Sequence, residues 1–188
     1  MRQTFEQIFE TRDWLLADGA TGTNLFNAGL ETGYPPELWN VEYPDRVTTL
    51  HASFIAAGSD IILTNSFGGT SFRLKLHQAE NSVNALNLAA AGLARQAADA
   101  ADKPVLVAGS MGPTGELFQP LGALTADAAE QAFAEQAFAL AEGGADLLWI
   151  ETMSSLEEVE AAVKGARRTN LPVVALSLIH ISEPTRPY

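Results

Sequence analysis

The chain has 188 residues, 47% of them hydrophobic and 18% charged, which is the composition of one globular domain rather than of a disordered or fibrous chain. With 23 acidic residues against 11 basic ones, the formal charge of -12 opposes binding to nucleic acid or an anionic membrane and points to a small-molecule partner. Cysteine is absent, which excludes disulfides and thiolate sites within these residues.

At the amino end, Arg2, Glu6, Glu10, Arg12 and Asp13 interrupt the apolar residues, so no secretory signal or membrane span is expected there, and the cytoplasm is the expected location. Short apolar runs then alternate with longer segments of helical period, the pattern of an α/β fold with a parallel sheet. Five runs are predicted as strands: 14–17, 61–63, 105–108, 147–150 and 173–176. Between the first two, Val47, Leu50 and Phe54 recur on one helical face. Val83, Leu86 and Leu93 do the same on a longer helix predicted within 81–102. Phe133, Ala137 and Leu140 mark a third helix, which Thr125 is placed to cap, and Ser155 with Glu158 reads as the capping box of a fourth.

One segment is echoed. Gly58-Ser59-Asp60 leads into the run at 61–63, and Gly144-Ala145-Asp146 leads into the run at 147–150; both read as a helix stop followed by a buried strand. A repeated βα unit suits either a (β/α)8 barrel or a doubly wound sheet. Five strands would make the first an incomplete barrel, with open edges and poor solubility for the chain alone.

Polar residues follow each predicted strand: Asp18-Gly19, Thr64-Asn65-Ser66, Gly109-Ser110, Glu151-Thr152 and Ser177. In a parallel α/β fold the carboxyl ends of the strands carry the ligand site, so Asp18 and Glu151 are expected to meet across one pocket. The alternative for each residue is a cap or a bond to a loop amide. The glycine-rich segment 109–115 lacks a P-loop lysine and dinucleotide spacing, and reads as a turn lining a pocket. His51, His77 and His180 have no partners at metal-ligand spacing and read as surface or packing residues. Trp39 and Phe67 read first as core aromatics and second as walls of a donor pocket. Lys75, Lys103 and Lys164 lie away from strand ends, which opposes a Schiff-base barrel enzyme.

Taken in order, Asp18-Gly19-Ala20-Thr21-Gly22-Thr23, Glu37-Leu38-Trp39-Asn40, Thr64-Asn65-Ser66-Phe67, Gly109-Ser110-Met111-Gly112-Pro113 and Ile150-Glu151-Thr152 resemble the homocysteine S-methyltransferase family. Bacterial betaine–homocysteine methyltransferases and the homocysteine module of methionine synthase are the nearest types. The resemblance implies a partial (β/α)8 TIM barrel of about the first five βα units over residues 1–177. It also implies zinc held by cysteines on later strands, homocysteine bound by its sulfur to that zinc, and a small methyl donor. Asp18, Gly19, Thr64 and Glu151 match residues that hold the amino-acid end of homocysteine, with Asn65 beside them; Trp39, and with it Phe67, belong to the possible donor pocket. Betaine is the expected donor. Gly68 stands where some betaine-using members carry a further aromatic, which keeps S-methylmethionine and methylcobalamin as alternatives. A zinc-bound thiolate would be the nucleophile, with carboxylates at the substrate's ammonium end. Without the zinc cysteines, this chain is expected to be inactive alone, and a homo-oligomer is expected only of the complete protein. Residues 178–188 depart from the family's pattern and read as a foreign tail. The competing function is an amino-acid-binding fragment without catalysis.

Overall fold

The computed structural model describes residues 4–177, so the predicted tail and His180 lie outside the described residues. The chain begins with helix α1 (Phe5–Phe9), followed by α2 (Thr21–Asn27), α3 (Trp39–Glu42) and α4 (Pro44–Ala56). Next come strand β1 (Ile61–Leu63), α5 (Ser71–Lys75), α6 (Val83–Asp99), β2 (Leu106–Met111), α7 (Ala126–Glu142), β3 (Leu147–Met153), α8 (Leu156–Ala166) and β4 (Val173–Ser177). The four strands form one parallel sheet in the order β1-β2-β3-β4. Among the described residues, no helix is long and apolar enough to cross a membrane.

Alternation along the strands sends side chains to two cores. Ile62, Val107, Leu148 and Ile150 face the helices, where Ala91, Ala94, Phe133, Ala137 and Ala162 complete the larger cluster. Ile61, Leu106, Ala108 and Leu147 face the other way and meet Ile8 of α1, with Phe5 and Trp149 packed at the margin. The alanines of α6 and α7 let helix and sheet approach closely. Gly165 lets α8 approach α7, because a Cβ there would stand 2.8 Å from the backbone of Glu130 and Ala134.

The predicted strand at 14–17 is not one. It touches the sheet through a single bridge, Ala17 to Ile61, while Trp14 (70% exposed) and Leu16 (47%) find no layer to cover them. Four strands and this bridge therefore stand where five strands were expected. The helix expected within 81–102 lies inside those bounds, and β2 and β3 run three residues beyond their predicted carboxyl ends. The two N-caps hold: Thr125 accepts the Ala128 N–H and Ser155 the Glu158 N–H, each at 3.2 Å. Glu158 does not return the bond to Ser155, however. Its buried carboxylate accepts from the Thr114 amide (2.8 Å) and hydroxyl (2.7 Å), tying α8 to the loop after β2.

The echoed segment repeats in three dimensions. Gly58 (φ 110°) and Gly144 (φ 105°) both take the left-handed conformation that ends a helix. Around them the same pair of bonds recurs: Gly58 N–H to Ile55 O with Ser59 N–H to Phe54 O, and Gly144 N–H to Ala141 O with Ala145 N–H to Leu140 O. The aspartate that follows then binds the preceding extended segment. Asp60 Oδ2 accepts from Leu16 N (3.1 Å) and Asp146 Oδ2 from Val107 N (2.8 Å), and each carboxylate also pairs with an arginine, Arg12 or Arg95.

Candidate functional site

The carboxyl ends of β1, β2 and β3 open onto a cavity of about 560 Å³. Its wall includes Gly19 to Gly22, Tyr34 to Glu37, Leu63 to Gly68, Arg73, Leu74, His77, Ser110 and Glu151. Of the residues singled out in the sequence, Gly19, Thr64, Asn65, Phe67 and Glu151 line this space; Asp18 is not part of its wall, but is next to Gly19 in the chain and bonded to Leu63, both of which are.

Asp18 follows the bridge to β1, and its Oδ2 accepts the Leu63 N–H at 2.9 Å. Burial pushes its carboxyl up to about 7, with the nearby charge of Glu151 adding to the rise and the Leu63 N–H opposing it. Glu151 occupies the end of β3, where the register with β4 shifts between Glu151 and Met153. That irregularity leaves Thr152 at φ 62°, a left-handed conformation that a β-branched residue rarely takes. Local strain of this kind, at the strand end that presents a carboxylate, is a recurrent mark of binding sites.

Thr64 belongs to a chain of hydroxyls. Ser66 Oγ donates to Ser110 O (2.7 Å), so its single proton is committed, and Thr64 Oγ1 must donate to Ser66 Oγ across 2.6 Å. Thr64 Oγ1 in turn accepts the Ser110 N–H (2.9 Å). Asn65 commits both amide hydrogens to the protein, on Pro36 O (2.7 Å) and Asn40 Oδ1 (3.0 Å). It fastens the 36–40 segment to the cavity wall.

The two aromatics separate. Phe67 is 38% exposed and rests its ring against Gly112, where a Cβ would meet ring atoms at 2.6 Å. Trp39 is 3% exposed and packs with Leu25, Leu30, Val47 and Leu50, with the Arg46 guanidinium 4.9 Å from its ring centroid. It is not part of the wall of the large cavity. His51 is buried on α4, where burial lowers its imidazole to about 4.

Four further residues of the cavity wall were not predicted as site residues, and one of them, His77, was expected at the surface or in packing. Ser110 lies inside β2 rather than after it and donates to Glu151 Oε1 at 2.7 Å. Glu37 is buried with Oε1 accepting the Gly68 N–H at 2.6 Å; burial raises its pKa, and the positive charges of Arg73 and His77 oppose the rise. Arg73 and His77 are four residues apart, a spacing that brings side chains to one helical face and was the available clue. The cavity wall therefore carries the carboxylates of Glu37 and Glu151 together with the guanidinium of Arg73. Such a wall suits a zwitterion.

Residues 15–185 match the family model described as homocysteine S-methyltransferase. The methionine synthase of Mycobacterium tuberculosis (strain ATCC 25618 / H37Rv) is 33% identical over 165 residues, and that of Mycobacterium leprae (strain TN) is also 33% identical over 165. Each match takes in 82% of this chain but only 14% and 13% of the relative. Among solved structures, the metallated form of the homocysteine methyltransferase MmuM from Escherichia coli aligns with a TM-score of 0.73 at 27% identity, covering 90% of this chain and 63% of that one. The oxidised form of the same protein gives 0.73 at 26%. The parallel sheet is thus part of a (β/α)8 barrel.

Proposed function

The chain belongs to the homocysteine S-methyltransferase family, and from that premise we propose that the complete protein methylates the sulfur of homocysteine to give methionine, with this chain supplying the walls that hold the amino-acid end. The observation that carries the reading is the convergence of Thr64, Ser110 and Glu151, from three neighbouring strands, on one cavity, with Asp18 bonded to Leu63 of the cavity wall. Asp18 and Glu151 are the partners for the substrate ammonium, and the backbone amides after Asp18 are the partners for its carboxylate. Holding that end fixes where the sulfur points, and orientation of this kind lowers the entropic part of a bimolecular barrier. Ionised Asp18 and Glu151 repel each other, and a substrate ammonium between them would offset that repulsion.

The methyl donor we propose is betaine, a small quaternary ammonium compound for which Phe67 offers an aromatic face in the cavity wall. Zinc, which the family resemblance implies, does not fit the residues described: among them no group of three His, Cys, Asp or Glu is placed to hold a metal, and the sequence has no cysteine. The chemistry this chain can contribute is therefore binding and orientation. The same donor set favours, as a second reading, a chain that binds an amino acid without transferring a group.

Calorimetric titration of the chain with L-homocysteine, L-methionine and L-alanine tests the proposal. Saturable binding of the first two, lost in Glu151→Gln, supports it. Equal or absent response to all three would remove homocysteine from the site.

A further inference from the structure

Behind the cavity wall, away from any ligand, two fully buried carboxamides meet the turn 66–69. Gln136, in the middle of α7, donates from Nε2 to Ser66 O (2.7 Å) and also reaches Asn87 Oδ1 (3.2 Å) and Ser110 O (3.4 Å). Asn87, on α6, donates from Nδ2 to Gly69 O (2.8 Å) and to Val83 O (2.7 Å). The orientations of both amides are forced, since every neighbour of Gln136 Nε2 is an acceptor and Asn87 Nδ2 already serves two carbonyls. The turn has fitted itself to them: a Cβ on Gly69 would collide with Asn87 Oδ1 and stand 2.7 Å from Gln136 Nε2.

Packing alone does not explain Gln136. Its Oε1 is buried without a partner among the described residues, a cost that an apolar side chain of the same shape would avoid. What the amide provides is a simultaneous grip on the backbone carbonyls of Ser66, after β1, and Ser110, in β2. Those two residues flank the hydroxyl chain through Thr64 and the bond from Ser110 to Glu151. The turn also carries Phe67 and the amide of Gly68 that meets Glu37.

We propose that Asn87 and Gln136 are positioning residues: a two-amide clamp from α6 and α7 that sets the backbone of residues 66–69 and thereby the site-facing groups of Thr64, Phe67, Ser110 and Glu151. The effect on ligand affinity rests on the homocysteine reading above; the effect on the turn does not.

The test compares Gln136→Met, which keeps the shape and removes the donor, with Phe133→Leu, a packing change on the same helix that leaves the amides intact. Two quantities are read on the 188-residue chain beside its melting temperature: affinity for L-homocysteine, and hydrogen exchange of the Gly68, Gly69 and Gly112 amides. In Gln136→Met, homocysteine binding weakens about tenfold and those amides exchange about tenfold faster relative to the core of β2, as expected when buried carbonyls lose their donor. In Phe133→Leu, melting falls while affinity and the relative exchange hold. If Gln136→Met fails to fold, Gly69→Ala reaches the same contact from the turn side, with both amides still present, and should give the same local signature. A loss of melting temperature with unchanged affinity and unchanged relative exchange in these variants overturns the clamp. Accelerated exchange at the turn in a chain that binds no homocysteine supports the clamp and removes the substrate instead.

Discussion

Ser110 Oγ donates to Glu151 Oε1 across 2.7 Å, joining the ends of two neighbouring strands at the cavity wall. A hydrogen bond to a charged acceptor contributes about 1.5–3 kcal/mol, and here it also holds the carboxylate in one orientation. Ser110→Ala should leave the fold in place and weaken homocysteine binding by about tenfold. Titration calorimetry on this variant checks it; unchanged affinity would mean that Glu151 is oriented by something else.

Asp18 sets a pH dependence with a definite sign. Its pKa rises from 3.8 to about 7 on folding, so the native chain binds a proton that the unfolded chain has released. The stability it contributes is fully present below about 3.8 and is lost as pH rises through about 7. An ammonium bound beside it favours the ionised form. Homocysteine binding should therefore tighten from pH 5.5 to 7.5, roughly across the upper part of that window, and release a proton. Titrations near neutrality in two buffers of different ionisation enthalpy detect that proton, and Asp18→Asn should abolish both the release and the slope.

Thr152 holds a left-handed backbone conformation that glycine adopts without strain. Thr152→Gly should raise stability by about 1 kcal/mol, a few degrees in melting temperature, and weaken homocysteine binding by loosening the residue next to Glu151. Thermal unfolding and titration of one preparation decide it. A lower melting temperature would show that the Thr152 side chain contributes more than its backbone costs.

The two aspartates of the echoed segment make matching predictions. Asp60→Ala strips the Leu16 N–H of its acceptor and Arg12 and Lys103 of their partner. Asp146→Ala strips the Val107 N–H of its acceptor and removes one of the two carboxylates paired with Arg95, Asp99 being the other. Each should lower unfolding stability by about 1–3 kcal/mol with little change in ligand affinity, as read by denaturant titration. A variant with wild-type stability would make its aspartate a bystander.

What the sequence disclosed follows from which signals are local. The glycine stops and the Thr125 and Ser155 caps depend on neighbours within a few residues and are where the pattern put them, as are four of the five predicted strands. The run at 14–17 had the right composition, but strand formation depends on a partner along its whole length, and only Ala17 has one. Glu151 and Ser110 read as loop residues because polarity marks strand ends in general, whereas these strands keep their pairing through their polar tips. Trp39 and Phe67 looked alike in sequence; one is covered by four aliphatic residues and the other is held half open by the bare backbone of Gly112. Asn87 and Gln136 gave no signal, because a buried amide on a helix is indistinguishable from a solvated one until its carbonyl partners, 18 and 70 residues away, are in place.

The strand order also has a bearing on how the molecule is made. Because the sheet reads β1-β2-β3-β4 in the same sequence as the chain, each strand leaving the ribosome finds its neighbour already synthesised. At about 5–20 residues per second, each new unit has seconds in which to dock before the next emerges. Translation can thus lay the sheet down strand upon strand, and the clamp reaching back from Gln136 to Ser66 would close only when α7 arrives.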